Sequence, residues 1–287
     1  MDFIEIALIN IDGEAAEAVS DVFDRYGYGG AVLETAPPDF RQVTVRTVVP
    51  AEDKEVLQKI EMILALMGKA LPYKLPAPQT RFIGQNDWAE SWKENFRVVK
   101  IGPRVVIQPS WRDYSPQPED VVIRLDPGVA FGSGLHPTTS LCLKILQDMP
   151  LTGVDMFDVG TGSGILSIAA AKMNAGPVRS VDVDEVAVRV ARENFALNGL
   201  PNIQGEVGSA EASGGRRWSL VVANILSNIL IEIMSDLKAA LSSNGQLVLS
   251  GIIREQEKPM LDCLAEHRLR IKSRHEEGDW LAFVVTR

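Results

Sequence analysis

Val154-Asp155-Met156-Phe157-Asp158-Val159-Gly160-Thr161-Gly162-Ser163-Gly164, followed directly by Ile165-Leu166-Ser167-Ile168-Ala169-Ala170-Ala171, decides the fold. An apolar run of β-type residues breaks into alternating glycines and then into an Ala/Leu/Ile-rich helical pattern, which reads as buried strand, tight turn and helix. That sequence of elements starts an α/β nucleotide-binding unit. Glycine at 160, 162 and 164 lets the backbone approach a ligand, and the helix start behind it offers unpaired N–H groups. The turn is therefore a candidate cradle.

Its spacing narrows the ligand. G-x-G-x-G behind an acidic residue is neither the dinucleotide fingerprint G-x-G-x-x-G nor a P-loop, which needs Lys after its last Gly. A ligand whose adenosine and amino-acid parts lie along the turn, S-adenosylmethionine, suits it better than a pyrophosphate; a plain strand-to-helix turn is the alternative. After Ala175-Gly176-Pro177 comes Val178-Arg179-Ser180-Val181-Asp182-Val183-Asp184, a short strand ending in acid 18 positions beyond Gly164. A carboxylate about 20 residues past the glycine turn can accept both ribose hydroxyls, which assigns Asp182. Asp184 is better explained as the cap of a helix over 185–197.

The rest of the chain bounds this reading. With 287 residues, 46% of them hydrophobic, two domains are expected. Cys142 and Cys263 cannot form a disulfide framework, and neither has a second ligand at metal spacing, so a reduced, cytoplasmic setting is expected. Met1-Asp2-Phe3-Ile4-Glu5 has no basic region ahead of an apolar core, and no uncharged run approaches membrane-spanning length. Net charge is −9, concentrated in front: residues 1–80 hold 13 Asp/Glu against 7 Lys/Arg. This argues against a phosphate backbone as partner and is compatible with a basic protein.

In order along the chain, residues 3–9 are strand-like and 12–26 helical, with Ala15, Ala18, Val19, Val22 and Phe23 on one face. Strands are expected at 31–35 and 42–49, a second helix over 52–67, and a last strand at 71–75. That β-α-β-β-α-β order is the ferredoxin-like split fold, here without a catalytic cluster, so residues 1–80 are read as an α+β interaction domain for substrate recognition. Pro72, Pro76 and Pro78 punctuate a linker. Trp88, Trp92 and Phe96 form an aromatic stripe on a short helix, suited to packing against a neighbouring domain or to stacking on substrate. A hairpin over 98–108 completes a connection spanning 81–120, and 121–287 is read as one doubly wound domain.

Two further stretches carry candidate chemistry. Asp126-Pro127-Gly128-Val129-Ala130-Phe131-Gly132-Ser133-Gly134-Leu135-His136-Pro137-Thr138-Thr139 is a second glycine-rich loop running into a helix, and it can close over a ligand's polar groups. Thr139 is its candidate hydroxyl contact to the methionine end; His136 is either a base or a structural residue. Trp218-Ser219-Leu220-Val221-Val222-Ala223 is a core strand with Asn224-Ile225-Leu226-Ser227 at its carboxyl end, where open α/β sheets do their chemistry. Asn224 can present its side-chain and backbone carbonyls to an amine; a turn former or cap is the alternative.

Together, Phe131 to Thr139, Asp158 to Gly164, Val181 to Asp184 and Ala223-Asn224-Ile225-Leu226 resemble the PrmA family, bacterial methyltransferases of large-subunit ribosomal protein eleven. The resemblance covers the whole chain. It implies a Rossmann-like class I methyltransferase domain behind the small ferredoxin-like domain, with cofactor contacts at Thr139, Gly160, Asp182 and Asn224, beside the turn glycines Gly162 and Gly164. It also implies methylation of lysine side chains and the N-terminal amine of that ribosomal protein. Ser133 stands where the family usually has Thr, and Ser227 where Ala is usual.

The chemistry expected is in-line displacement at the sulfonium methyl by a neutral amine, with Asn224 orienting the amine. A lysine near pKa 10.4 is mostly protonated in water at neutral pH, but a dry pocket beside a positive sulfonium disfavours the ammonium form. Alignment can then supply roughly 7–11 kcal/mol. A methyltransferase of adenine or a glutamine amide fits less well, because Ile225 and Leu226 replace the two prolines of Asn-Pro-Pro-aromatic. A non-catalytic cofactor-binding module is the other alternative. No metal, membrane or direct nucleic-acid partner is expected, and the protein is expected to be a monomer.

Overall fold

The computed structural model describes residues 2–35, 43–70, 75–83, 97–125 and 136–287. Those residues divide into two compact units, with the boundary between residues 83 and 97. The aromatic stripe Trp88, Trp92 and Phe96, and the glycine-rich stretch up to Leu135, lie outside them.

In the first unit the strands are β1 (Phe3–Ile11), β2 (Tyr28–Thr35), β3 (Val43–Pro50) and β4 (Gln79–Ile83), and the helices Gly13–Tyr26 and Lys54–Ala70. The order β-α-β-β-α-β gives an antiparallel sheet β2-β3-β1-β4. The first helix begins where Asp12 accepts Ala15 N–H at 2.8 Å, and its apolar stripe, Ala15, Val19 and Phe23, packs on Ile6, Leu8, Val45 and Val49 with Ile60 and Leu64 of the second helix. The last strand corrects the expectation of one at 71–75: residues 71–74 lie outside the described ones, Leu75 packs against the helix side of the core, and the strand is Gln79–Ile83. An edge strand with mostly exposed side chains is held by backbone pairing to β1 and carries little apolar signal.

The second unit holds two sheets. The hairpin β5 (Val99–Ile101) and β6 (Val105–Gln108), which the sequence reading places in the connection, pairs with β7 (Val121–Arg124) and buries Ile101, Val105 and Ile107 in this unit's core. Gln147 pins it there: its side-chain oxygen accepts the N–H groups of Arg104 at 2.9 Å and Val105 at 3.0 Å, and its amide donates to Ile101 O.

The large sheet contains β8 (Met156–Val159), β9 (Val178–Asp182), β10 (Gln204–Val207), β11 (Trp218–Asn224), β12 (Leu241–Ile253), β13 (Arg270–Glu277) and β14 (Trp280–Thr286), in the order β10-β9-β8-β11-β12-β14-β13. The first five are mutually parallel, and β14 alone runs against them, inserted antiparallel between β12 and β13. Along β8 and β11 alternate residues enter opposite cores: Met156, Leu220 and Val222 on one face, Phe157, Val221 and Ala223 on the other. Both faces are therefore covered by helices, as a parallel sheet requires. This is the doubly wound α/β fold that the sequence leads one to expect.

Candidate functional site

The strand order reverses direction between β8 and β11, so the crevice opens beyond their carboxyl ends. The glycine turn occupies that point. Gly160, Gly162 and Gly164 have φ of 74°, 54° and 82°, a left-handed run that L side chains resist. Gly160 N–H donates to Val181 O at 2.9 Å, tying the turn to the neighbouring strand. A Cβ on Gly160 would lie 2.2 Å from Ile225 Cγ2, and one on Gly164 2.5 Å from Phe195 Cε1. The turn is glycine both for its dihedrals and for what packs against it.

Asp182 ends β9 next to this turn. Its Oδ2 accepts Gly162 N–H at 2.9 Å and its Oδ1 accepts Asp184 N–H at 3.1 Å, and the side of the residue left half-exposed faces no further described partner. Asp184 is the cap of helix Glu185–Leu197, accepting Val186 N–H at 2.8 Å. Val183 after β9 and Leu226 after β11 stand 74% and 66% exposed, so apolar side chains are left uncovered on the strands flanking β8.

Asn224 ends β11. Its Nδ2 donates to Thr139 Oγ1 at 3.3 Å, which brings together two residues 85 positions apart, while its Oδ1 is buried and has no partner. The segment that follows is held rigidly, because Gly251, at φ 85°, admits Ile225 O to within 2.1 Å of where its Cβ would stand. Gly251 lies inside β12, at the irregularity between Ser250 and Ile252 in its pairing with β14, and had no sequence signal of its own.

Thr139 reaches Asn224 because the helix Pro137–Gln147 starts across the sheet's carboxyl edge. Ser250 Oγ of β12 is shared between Thr138 O at 3.2 Å and Leu281 O at 3.3 Å, and Ser140 Oγ donates to Glu277 of β13 at 2.9 Å. His136 is the helix cap, its Nδ1 2.8 Å from Thr138 Oγ1, with its ring edge-on to Trp280 at 4.7 Å. Burial lowers its pKa, favouring the neutral ring that a cap needs. That is the structural alternative for His136, and its Nδ1 is occupied.

Beneath the turn lies a group the sequence reading passed over. Asp158 is 1% exposed, and its Oδ2 accepts Thr161 Oγ1 at 2.7 Å and Ser167 Oγ at 2.6 Å. Ser167 is in turn 2.7 Å from Ser180 Oγ. Asp158 Oδ1 is buried without a partner, and burial, opposed by the two hydroxyls, pushes the carboxyl up to about 6. Among the described residues no cluster of His, Cys, Asp and Glu could hold a metal ion.

Comparison with known proteins gives the family of the chain. The family described as "Ribosomal protein L11 methyltransferase (PrmA)" matches residues 2–287. The ribosomal protein L11 methyltransferase of Chloroflexus aurantiacus is 40% identical over 99% of this chain and 98% of its own, and that of Pelotomaculum thermopropionicum 35% identical over 99% of each. Among solved structures, the ribosomal protein L11 methylase of Lactobacillus delbrueckii subsp. bulgaricus is 36% identical with a TM-score of 0.64, covering 67% of this chain and 99% of that one.

Proposed function

The chain belongs to the ribosomal protein L11 methyltransferase family, and from that premise we propose that it methylates amines of ribosomal protein L11, both lysine side chains and the N-terminal amine, at Asn224. The cofactor is S-adenosylmethionine, which supplies a methyl group on a sulfonium, open to in-line displacement by an amine nitrogen. The site's own features suit that cofactor: a left-handed glycine cradle without side chains, a carboxylate at the end of β9, and uncovered apolar residues at both flanks. Gly160, Gly162 and Gly164 would line it, Asp182 would accept its ribose hydroxyls, and Thr139 would close the methionine end.

The observation that carries the reading is the unpartnered Asn224 Oδ1. A buried amide oxygen left without a donor costs about 1–3 kcal/mol, which an incoming N–H removes. Asn224 thus orients the amine by accepting from it. A positive sulfonium beside this partly buried position would also disfavour the ammonium form, so a lysine gives up its proton more readily there than in water. With His136 Nδ1 engaged at the helix cap, no dedicated base is invoked.

The first unit, through Ile83, we assign to recognition of the ribosomal protein and the second, from Arg97, to transfer, in a monomer acting in the cytoplasm without direct nucleic-acid contact. Among the described residues no helix is long and apolar enough to cross a membrane. Replacing Asn224 by Ala tests the site assignment: turnover should fall about 10- to 100-fold while cofactor affinity, measured by calorimetry, changes by less than about threefold. Equal losses in both would make Asn224 a cofactor ligand only.

A further inference from the structure

We propose that Asp158 is a positioning residue for the cofactor site, holding the glycine turn through Thr161 and Ser167 as a carboxylate, and that cofactor binding releases a proton from it. One oxygen, Oδ2, joins the middle of the turn at Thr161 to the first turn of helix Ile165–Lys172 at Ser167. Both bonds use hydroxyl donors, and hydroxyls hold a charged acceptor about twice as strongly as a neutral one. The grip on the turn is therefore strongest when Asp158 is ionised.

The free protein reaches that state less readily than water would allow. Asp158 is 1% exposed, and its second oxygen meets no donor. Two titratable groups bear on it. Asp182, on β9, adds a like charge and raises its pKa. Cys142, on helix Pro137–Gln147, is itself pushed up to about 12 by burial and stays neutral. No cation faces it among the residues that shift it. S-adenosylmethionine carries a sulfonium and an ammonium against one carboxylate; held by the glycine turn it would bring a net positive charge near Asp158, and a nearby cation favours the carboxylate. Occupancy of the turn and ionisation of Asp158 then reinforce each other, and by linkage the proton leaves as the cofactor arrives.

The test is titration calorimetry of the full chain with S-adenosylmethionine at pH 6, repeated in buffers of different ionisation enthalpy. With the carboxyl at about 6, about half a proton is released per cofactor bound. Affinity falls up to about tenfold between pH 7 and pH 5. In Asp158→Asn the release disappears and the pH dependence flattens. Should that variant fail to fold, Thr161→Val removes one donor and moves the fall in affinity to higher pH, whereas Thr161→Ser keeps the native profile. Cofactor binding without proton release in the native protein overturns the proposal, as does release that persists in Asp158→Asn or an equal shift in the two Thr161 variants. The proposal rests on the cofactor assignment alone: absence of binding heat would remove both, while a failed L11 assay would leave it intact.

Discussion

At the scale of single residues, the site is built from groups whose local state is costly and therefore informative. Gly160→Ala forces a side chain into a left-handed φ of 74° and against Ile225 at 2.2 Å, so we expect a stability loss of about 1–3 kcal/mol by urea titration and loss of cofactor binding by calorimetry. Asp158 gives a second expectation. Its folded-state pKa of about 6 lies above the unfolded value of 3.8, so the native state keeps a proton that the unfolded chain has lost. The stability it contributes is complete below pH 4 and is lost as pH rises through 6. Relative to Asp158→Asn, the native protein should lose about 3 kcal/mol across that window, read from denaturant midpoints. The glycines, Asp182, Asp184 and Asn224 were legible in the sequence because turns, caps and strand ends restrict which residues fit. Asp158 was not, because an acid inside an apolar strand does not reveal whether its oxygens find partners.

Among the elements, the start of helix Pro137–Gln147 does the most to assemble the site. His136, Thr138, Thr139 and Ser140 are held by Trp280, Ser250, Asn224 and Glu277, on four neighbouring strands. Ser250→Ala strips the hydroxyl that satisfies Thr138 O and Leu281 O in a fully buried place, and should cost about 1–2 kcal/mol in thermal unfolding. Glu277→Gln removes an ion pair to Lys144 whose partners are 46% and 36% exposed, and should cost less than about 1 kcal/mol. The central strands β8, β9 and β11 were readable from their apolar runs. The edge strands were not: β13, Arg-Ile-Lys-Ser-Arg-His-Glu-Glu, and β10, Gln-Gly-Glu-Val, bury little and are held by backbone pairing and polar side chains such as Arg179–Glu206 rather than by an apolar face. The last strand of the first unit was misplaced for the same reason, since Gln79–Ile83 opens on Gln-Thr-Arg and leaves every side chain but Ile83 exposed. Helix Glu257–Glu266 went unread because only Met260, Cys263 and Leu264 enter the core.

At the scale of the molecule, acid is concentrated in residues 1–80 while the transferase chemistry is assigned to the second unit. If the acidic unit recognises a basic ribosomal protein, raising salt from about 50 to about 500 mM should weaken binding of L11 several-fold and leave cofactor affinity nearly unchanged, as measured by calorimetry on the full chain. Unchanged L11 binding would move recognition to apolar contacts such as the exposed Met62 and Leu66 of helix Lys54–Ala70. The most direct measurement of the whole account is intact-protein mass spectrometry of unmodified ribosomal protein L11 incubated with this chain and S-adenosylmethionine, with Gly160→Arg as control. The account predicts increments of whole methyl groups that map to lysine and N-terminal amines and vanish in the control. An unchanged L11 mass, with cofactor binding intact, would contradict it.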